Sequence, residues 1–365
     1  MSIQGIELIS FRNHDHLKVE FSSGLNVIWG ENGSGKTSIL EGLYTLSMGR
    51  SFRTANRRQM IQKGKEHFRL VGTFESGSKA NTVAMSQLSD GRMKTTINDK
   101  SITGFKELVG LNPVVLLSPE EQGITKGNPA QRRQFFDRLF SVASTEYLMA
   151  LTEFSRVYKQ RNAALASVKE HAQPVFAIIP WNEPFAEAAE AVWAQRRKLW
   201  GEFKQALEKV IGKLDVEDVR VTGEYDQTTH LPVEDLLKAL VKNERKDIAL
   251  QRTTIGPQKD NYSFLYNRED LRQFGSQGEH KLALVLIKLA EFGFLNNQND
   301  TAPIILLDDV LAKLDFQRSE LVMALLEKNV QTIITTTNLV NVESHGVNIQ
   351  NDKNMSLYLE RQCND

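Results

Sequence analysis

The eight residues Gly30-Glu31-Asn32-Gly33-Ser34-Gly35-Lys36-Thr37 constrain this chain more than any other segment. The spacing Gly-x4-Gly-Lys-Thr follows an apolar run, Leu25-Asn26-Val27-Ile28-Trp29, and opens a segment with helical spacing, Ser38 to Leu46. Strand, glycine loop and helix in that order form the context of a phosphate-binding loop. Glycines let backbone N–H groups curl around phosphate oxygens without Cβ clashes, and the helix N-terminus adds partial positive charge. The loop implies ATP as ligand. Lys36 is placed for the β- and γ-phosphates and Thr37 for Mg²⁺, with Gly30, Glu31, Asn32, Gly33, Ser34 and Gly35 lining the cradle.

A Mg²⁺ site needs a carboxylate where a neighbouring strand leaves the core. Ile304-Ile305-Leu306-Leu307-Asp308-Asp309 provides four apolar residues and then two acids. Asp308 is the expected metal-coordinating residue. Asp309, with Lys36, is the expected catalytic group, placed to orient or deprotonate an attacking water. Ser276-Gln277-Gly278-Glu279 opens a strong helical pattern, Gln277 to Leu295, and offers a hydroxyl and N–H groups to an anion, although alone such a segment is more often an ordinary helix cap.

Strand-like stretches at Ile3–Phe11, Leu17–Phe21 and Leu25–Trp29 precede the loop and helix. Strand patterns return over 66–98, with turns at Ser76-Gly77 and Asp90-Gly91, and again at Pro113–Leu117. From about Ala130 to Lys213 glycine nearly vanishes and helical periodicity dominates, interrupted by the prolines of Gln173–Pro180. Pro303–Leu307 and Gln331–Thr335 read as buried parallel strands. The pattern predicts an α/β ATPase split by an insertion: residues 1–129 and 251–365 as the ATPase, 130–250 as an inserted, mainly helical domain.

Among 365 residues, 45 basic and 45 acidic side chains cancel, so a polyanion partner requires a local patch. Residues 50–65 supply one: Arg50, Arg53, Arg57, Arg58, Lys63 and Lys65 with no acid between them. They suit phosphate contacts to DNA, or arginines folding back on ATP. Arg196-Arg197-Lys198 reads as a solvated helix face, and His14-Asp15-His16 as a polar turn without a third metal ligand. The single cysteine, Cys363, excludes an internal disulfide. No signal-peptide pattern and no span of about 18–20 apolar residues is present, which suggests a soluble, cytoplasmic chain without a membrane partner.

The segment Ser276–Glu279 resembles the signature of the ABC ATPase superfamily, and Leu311-Ala312-Lys313-Leu314-Asp315 its D-loop. In such proteins one subunit's signature closes on ATP held by the other. Over nearly its full length the chain further resembles the RecF family of bacterial recombinational-repair ATPases. Phe11-Arg12-Asn13, Gly49-Arg50-Ser51-Phe52-Arg53, Ser118-Pro119-Glu120-Glu121 and Lys126-Gly127-x-Pro129 carry that likeness. So do Arg132-Arg133-x-Phe135-x-Asp137, Tyr158–Asn162, Thr253–Pro257 and Thr335-Thr336-Thr337-Asn338. The block beginning at Thr253 departs from the family's His-Arg/Lys-Asp-Asp, reading Gln258-Lys259-Asp260-Asn261.

The resemblance implies an ABC-type ATPase head, with a mixed sheet around the phosphate loop, and places Arg12, Ser276, Gly278, Glu279 and Asp315 at the nucleotide. It implies an ATP-dependent homodimer that clamps duplex DNA near gaps or single-strand/double-strand junctions, and weak, DNA-dependent ATP hydrolysis. RecR, RecO and the RecA pathway are the implied partners. Two other readings remain: a transporter's nucleotide subunit, which the insertion and the missing switch histidine oppose, and an ATP-binding scaffold without turnover.

Overall fold

The computed structural model describes residues 1–76, 79–213, 219–298, 301–309, 330–339 and 353–361. Gly77, the D-loop-like Leu311–Asp315 and Cys363 lie outside the described residues. Packing divides the chain into two compact units, Met1–Gln122 with Leu284–Asp365, and Gly123–Ala283. Residues 251–283, grouped by sequence with the ATPase, cluster with the helical unit.

The first unit holds β1 (Ser2–Phe11), β2 (His14–Glu20), β3 (Leu25–Trp29), α1 (Lys36–Met48), β4 (His67–Ser76), β5 (Lys79–Leu88), β6 (Met93–Ile97), β7 (Lys100–Ile102) and β8 (Val114–Leu117). The second holds α2 (Gly123–Lys126), α3 (Pro129–Ala143), α4 (Thr145–Lys169), α5 (Asn182–Ile211), β9 (Val221–Asp226), α6 (Val233–Leu250), β10 (Asn261–Tyr266), β11 (Glu269–Asp270) and α7 (Leu271–Phe274). The boundary falls within α8 (Gln277–Gln298); β12 (Ile304–Asp308), β13 (Thr332–Thr336) and β14 (Met355–Tyr358) return to the first unit.

Two sheets form the first unit among the described residues. One is antiparallel, ordered β2-β1-β4-β5-β6-β7; the other is parallel, ordered β14-β3-β13-β12-β8. Strand β12 is buried at every residue, as an unbroken apolar run in the middle of a parallel sheet must be. Helix α1 packs against strands of both sheets and is buried on nearly all sides, so that Lys36, Ser38, Glu41, Thr45 and Ser47 are buried along with its apolar residues. Gly49 ends it in the left-handed conformation, its N–H donating to the Thr45 carbonyl at 2.8 Å.

In the second unit, Asn128 caps α3 by accepting from the Gln131 N–H, while Gln131 accepts in return from the Asn128 N–H and Pro129 takes the first turn. The proline-rich interruption becomes a 3₁₀ segment, Val175–Trp181, between α4 and α5. No helix among the described residues is long and apolar enough to cross a membrane.

The family-like blocks of this unit meet inside it. Arg161 donates to Asp247 at 2.9 Å, Thr253 at 2.7 Å and Asn182 at 3.0 Å, while Asn162 accepts from the Thr253 N–H and hydroxyl. Arg196 corrects its sequence reading. It is 2% exposed and pairs with Asp260 at 2.7 Å and Asp137 at 2.6 Å. Its spacing from Trp193 and Trp200 puts it on the apolar stripe of α5, whereas Arg197 and Lys198 are exposed. Asp260 also accepts from Trp193 at 2.9 Å and Tyr225 at 2.6 Å. The variant residues around it remain useful: Gln258 donates to the Thr253 and Ile255 carbonyls, and Asn261 accepts from Arg132.

A candidate nucleotide-binding site

The carboxyl ends of the parallel strands align, with Trp29 opposite Thr336 and Asp308 opposite Thr335. Open parallel sheets bind ligands in the crevice at that end. A cleft of about 540 Å³ lies there, lined by the glycine loop, Arg12, Asn13, Lys36, Thr37, Ser38, Arg53, Gln59, Ile61, Lys63, Asp308, Asp309, Thr335 and Thr337.

The loop takes its shape from its glycines. Gly35 has φ 99°, and a Cβ there would lie 2.3 Å from His14 Nε2 and 2.6 Å from Asn13 Nδ2. The His14 ring lies within hydrogen-bonding distance of the Gly35 carbonyl, 3.2 Å, and Asn13 donates to the Gly33 carbonyl at 3.3 Å. His14 is therefore no turn residue. It opens β2, it is buried, and burial pushes its pKa down, only partly opposed by the Gly35 contact. A polar first residue hid this strand end from the sequence pattern, because the signal for a half-buried strand is alternation of apolar residues.

Lys36 is buried and donates to the carbonyls of Gly30 at 2.8 Å and Glu31 at 2.7 Å. Desolvation pushes its pKa down while Asp309 and Asp308 oppose that shift. Thr37 donates to Asp308 Oδ1 at 2.9 Å, although 271 residues separate the two. Thr335 donates to the same oxygen at 2.7 Å. Burial raises the Asp308 pKa, and the two hydroxyls counteract it. A hydroxyl and a carboxylate side by side are the hard oxygen donors that Mg²⁺ takes alongside nucleotide phosphates, so the pair fits that ion. Asp309 turns the chain out of β12 with φ 49°, its N–H donating to Thr335 at 3.1 Å.

Sequence reading missed Glu41. It is fully buried on α1 and accepts two bonds from Arg12, at 2.8 and 2.5 Å, with Ser51 at 2.5 Å and Arg53 at 3.4 Å. The basic stretch accordingly divides. Arg53 lines the cleft, Arg57 is half-buried and donates to the Gly49 carbonyl at 3.1 Å, Arg50 is half-buried and Arg58 is exposed. In the second unit Ser276 and Glu279 form a reciprocal cap: Glu279 accepts from the Ser276 N–H at 2.6 Å, and Ser276 Oγ from the Glu279 N–H at 3.3 Å. Ser276 is exposed and Gly278 half-buried at the start of α8.

The family model of the RecF/RecN/SMC N-terminal domain matches residues 2–362. DNA replication and repair protein RecF of Limosilactobacillus fermentum is 33% identical over 351 residues, 94% of each chain. The chain belongs to the RecF family. RecF of Chlorobium limicola is 31% identical over 92% of this chain and 95% of its own. Among solved structures, recombination mediator protein RecF with ATP aligns at TM-score 0.84 and 27% identity, covering 92% of each chain. The Smc head bound to the C-winged-helix domain of ScpA aligns at TM-score 0.53 and 16% identity, a likeness of fold. The fold is thus the ABC-type ATPase head with an inserted unit expected from the sequence, and it supports ATP as the ligand of the RecF cleft.

Proposed function

We propose that this RecF-family chain is an ATP-dependent DNA-binding protein of recombinational repair. The observation that carries the reading is the meeting of Thr37 and Asp308 beside Lys36, at the mouth of a phosphate loop in a chain of this family. The name borne by the relatives, DNA replication and repair protein, supports the pathway, and the RecF–ATP neighbour supports the ligand. In this reading Lys36 leaves the loop carbonyls for the β- and γ-phosphates, while Thr37 and Asp308 hold Mg²⁺, which neutralises phosphate charge. Asp309 orients or deprotonates the water. Hydrolysis is slow.

ATP joins two copies, each giving Ser276, Gly278 and Glu279 to the other's nucleotide. The dimer clamps duplex DNA near gaps through Arg50, Arg57 and Arg58 of the basic stretch and works with RecR and RecO in RecA loading. Binding to gapped, tailed and blunt duplexes, with and without ATP across a salt series, tests the proposal. Wild-type chain is expected to retain duplex DNA in an ATP-dependent, salt-sensitive way, and Lys36→Met to lose that ATP dependence. Equal DNA retention by Lys36→Met with ATP would sink the mechanism.

A further inference from the structure

A carboxylate with no exposure at all, in the middle of a buried helix, needs cations to justify its burial. Glu41 gathers two, from opposite directions along the chain. Arg12 is 29 residues before it, at the turn between β1 and β2, and Arg53 is 12 residues after it, beyond the end of α1. Both arginines line the cleft that holds Lys36, Asp308 and Asp309.

The two are held differently. Arg12 takes both Glu41 oxygens, gives a third bond to the Gln59 carbonyl at 2.7 Å, and is 18% exposed. Arg53 has a single 3.4 Å contact to Glu41 and is 37% exposed. The carboxylate also fixes the turn that carries Arg53: Ser51 donates to Glu41, and Ser51 Oγ accepts the N–H groups of Arg53 and Thr54 at 2.9 and 3.1 Å. Glu41 itself rides on the helix that begins with Lys36, so its place relative to the phosphate loop is set by rigid backbone.

We infer that Glu41 is a positioning residue of the nucleotide site, acting through Arg12 and Arg53. It locks Arg12 into the cleft wall and keeps Arg53 on a weak tether, from which the phosphates of a nucleoside triphosphate draw it. This assigns Arg53 to the nucleotide, and it rests on the reading of the cleft as an ATP site.

Equilibrium binding of a fluorescent ATP analogue with Mg²⁺ tests it through a mutant cycle. Glu41→Gln preserves shape but cannot anchor two cations, and about tenfold weaker binding is expected. In a chain already carrying Arg12→Ala and Arg53→Ala, the same change should alter affinity by less than about twofold, because its effect runs through the arginines. An equal loss in both backgrounds would mark Glu41 as merely structural and overturn the inference. So would unchanged or tighter binding by Glu41→Gln alone. Glu41→Asp, which keeps the charge and withdraws it by one methylene, runs through the same cycle should Glu41→Gln fail to fold. Lys36→Ala serves as control. A wild-type chain that binds no ATP overturns the nucleotide reading and this inference together, whereas tight, Lys36-dependent binding indifferent to Glu41 overturns this inference alone.

Discussion

Gly35 is where the nucleotide site tolerates least. Its φ of 99° and the 2.3 Å separation between a Cβ and His14 Nε2 make alanine doubly unwelcome. Gly35→Ala is expected to weaken ATP binding at least about tenfold and to lower stability by roughly 1–3 kcal/mol, read by ATP titration and thermal melting. ATP affinity within twofold of wild type would contradict the tight bracing of the loop by His14 and Asn13. Individual residues were unevenly legible in the sequence. The loop and Asp308 stood out because their chemistry is carried by local spacing. Glu41 did not, since a single acid among the mixed residues of a helix looks solvent-facing until the fold supplies a partner 29 residues away. Arg196 left a signal that a basic triplet obscured, its three- and four-residue spacing to Trp193 and Trp200 on one stripe of α5.

Elements were easier to read. Strand β3 matched its apolar run to the residue, because a strand buried on both faces between turn signals has abrupt ends. Strand β2 began earlier than expected, since its first residues are polar and its pairing with β1 at Phe11 and His14 is set by a two-residue turn. Helix α3 has an end that can be tested. Asn128 satisfies an otherwise orphaned N–H, and Gln131 returns the bond. Asn128→Ala should cost about 1 kcal/mol in urea unfolding, while Asn128→Asp or Asn128→Ser should recover most of it. A negligible cost would mean that Pro129 and tertiary packing alone hold the helix start.

For the whole molecule, the proposed composite site makes two defective chains complementary. Lys36→Met spoils the phosphate loop but leaves Ser276 intact, and Ser276→Arg does the reverse. Each alone should lose ATP hydrolysis. An equal mixture should regain activity, since random pairing into two-fold dimers leaves about a quarter of the composite sites whole. A mixture as inactive as its components would favour sites complete within one chain. Steady-state phosphate release measures the outcome.

The order of strands β14-β3-β13-β12-β8 sets a timetable for biogenesis. Strand β3 leaves the ribosome about 300 residues before its neighbours β13 and β14. At ordinary elongation speeds the apolar Leu25–Trp29 strand waits on the order of tens of seconds for its partners. Gln331 then closes the join, bonding the Ile3 backbone on both sides and the Ser22 carbonyl. Nascent chains stalled after the helical unit should therefore lack a working phosphate loop and display a naked sheet edge. Stop codons placed between β12 and β13 should be as damaging as stop codons within the helical unit.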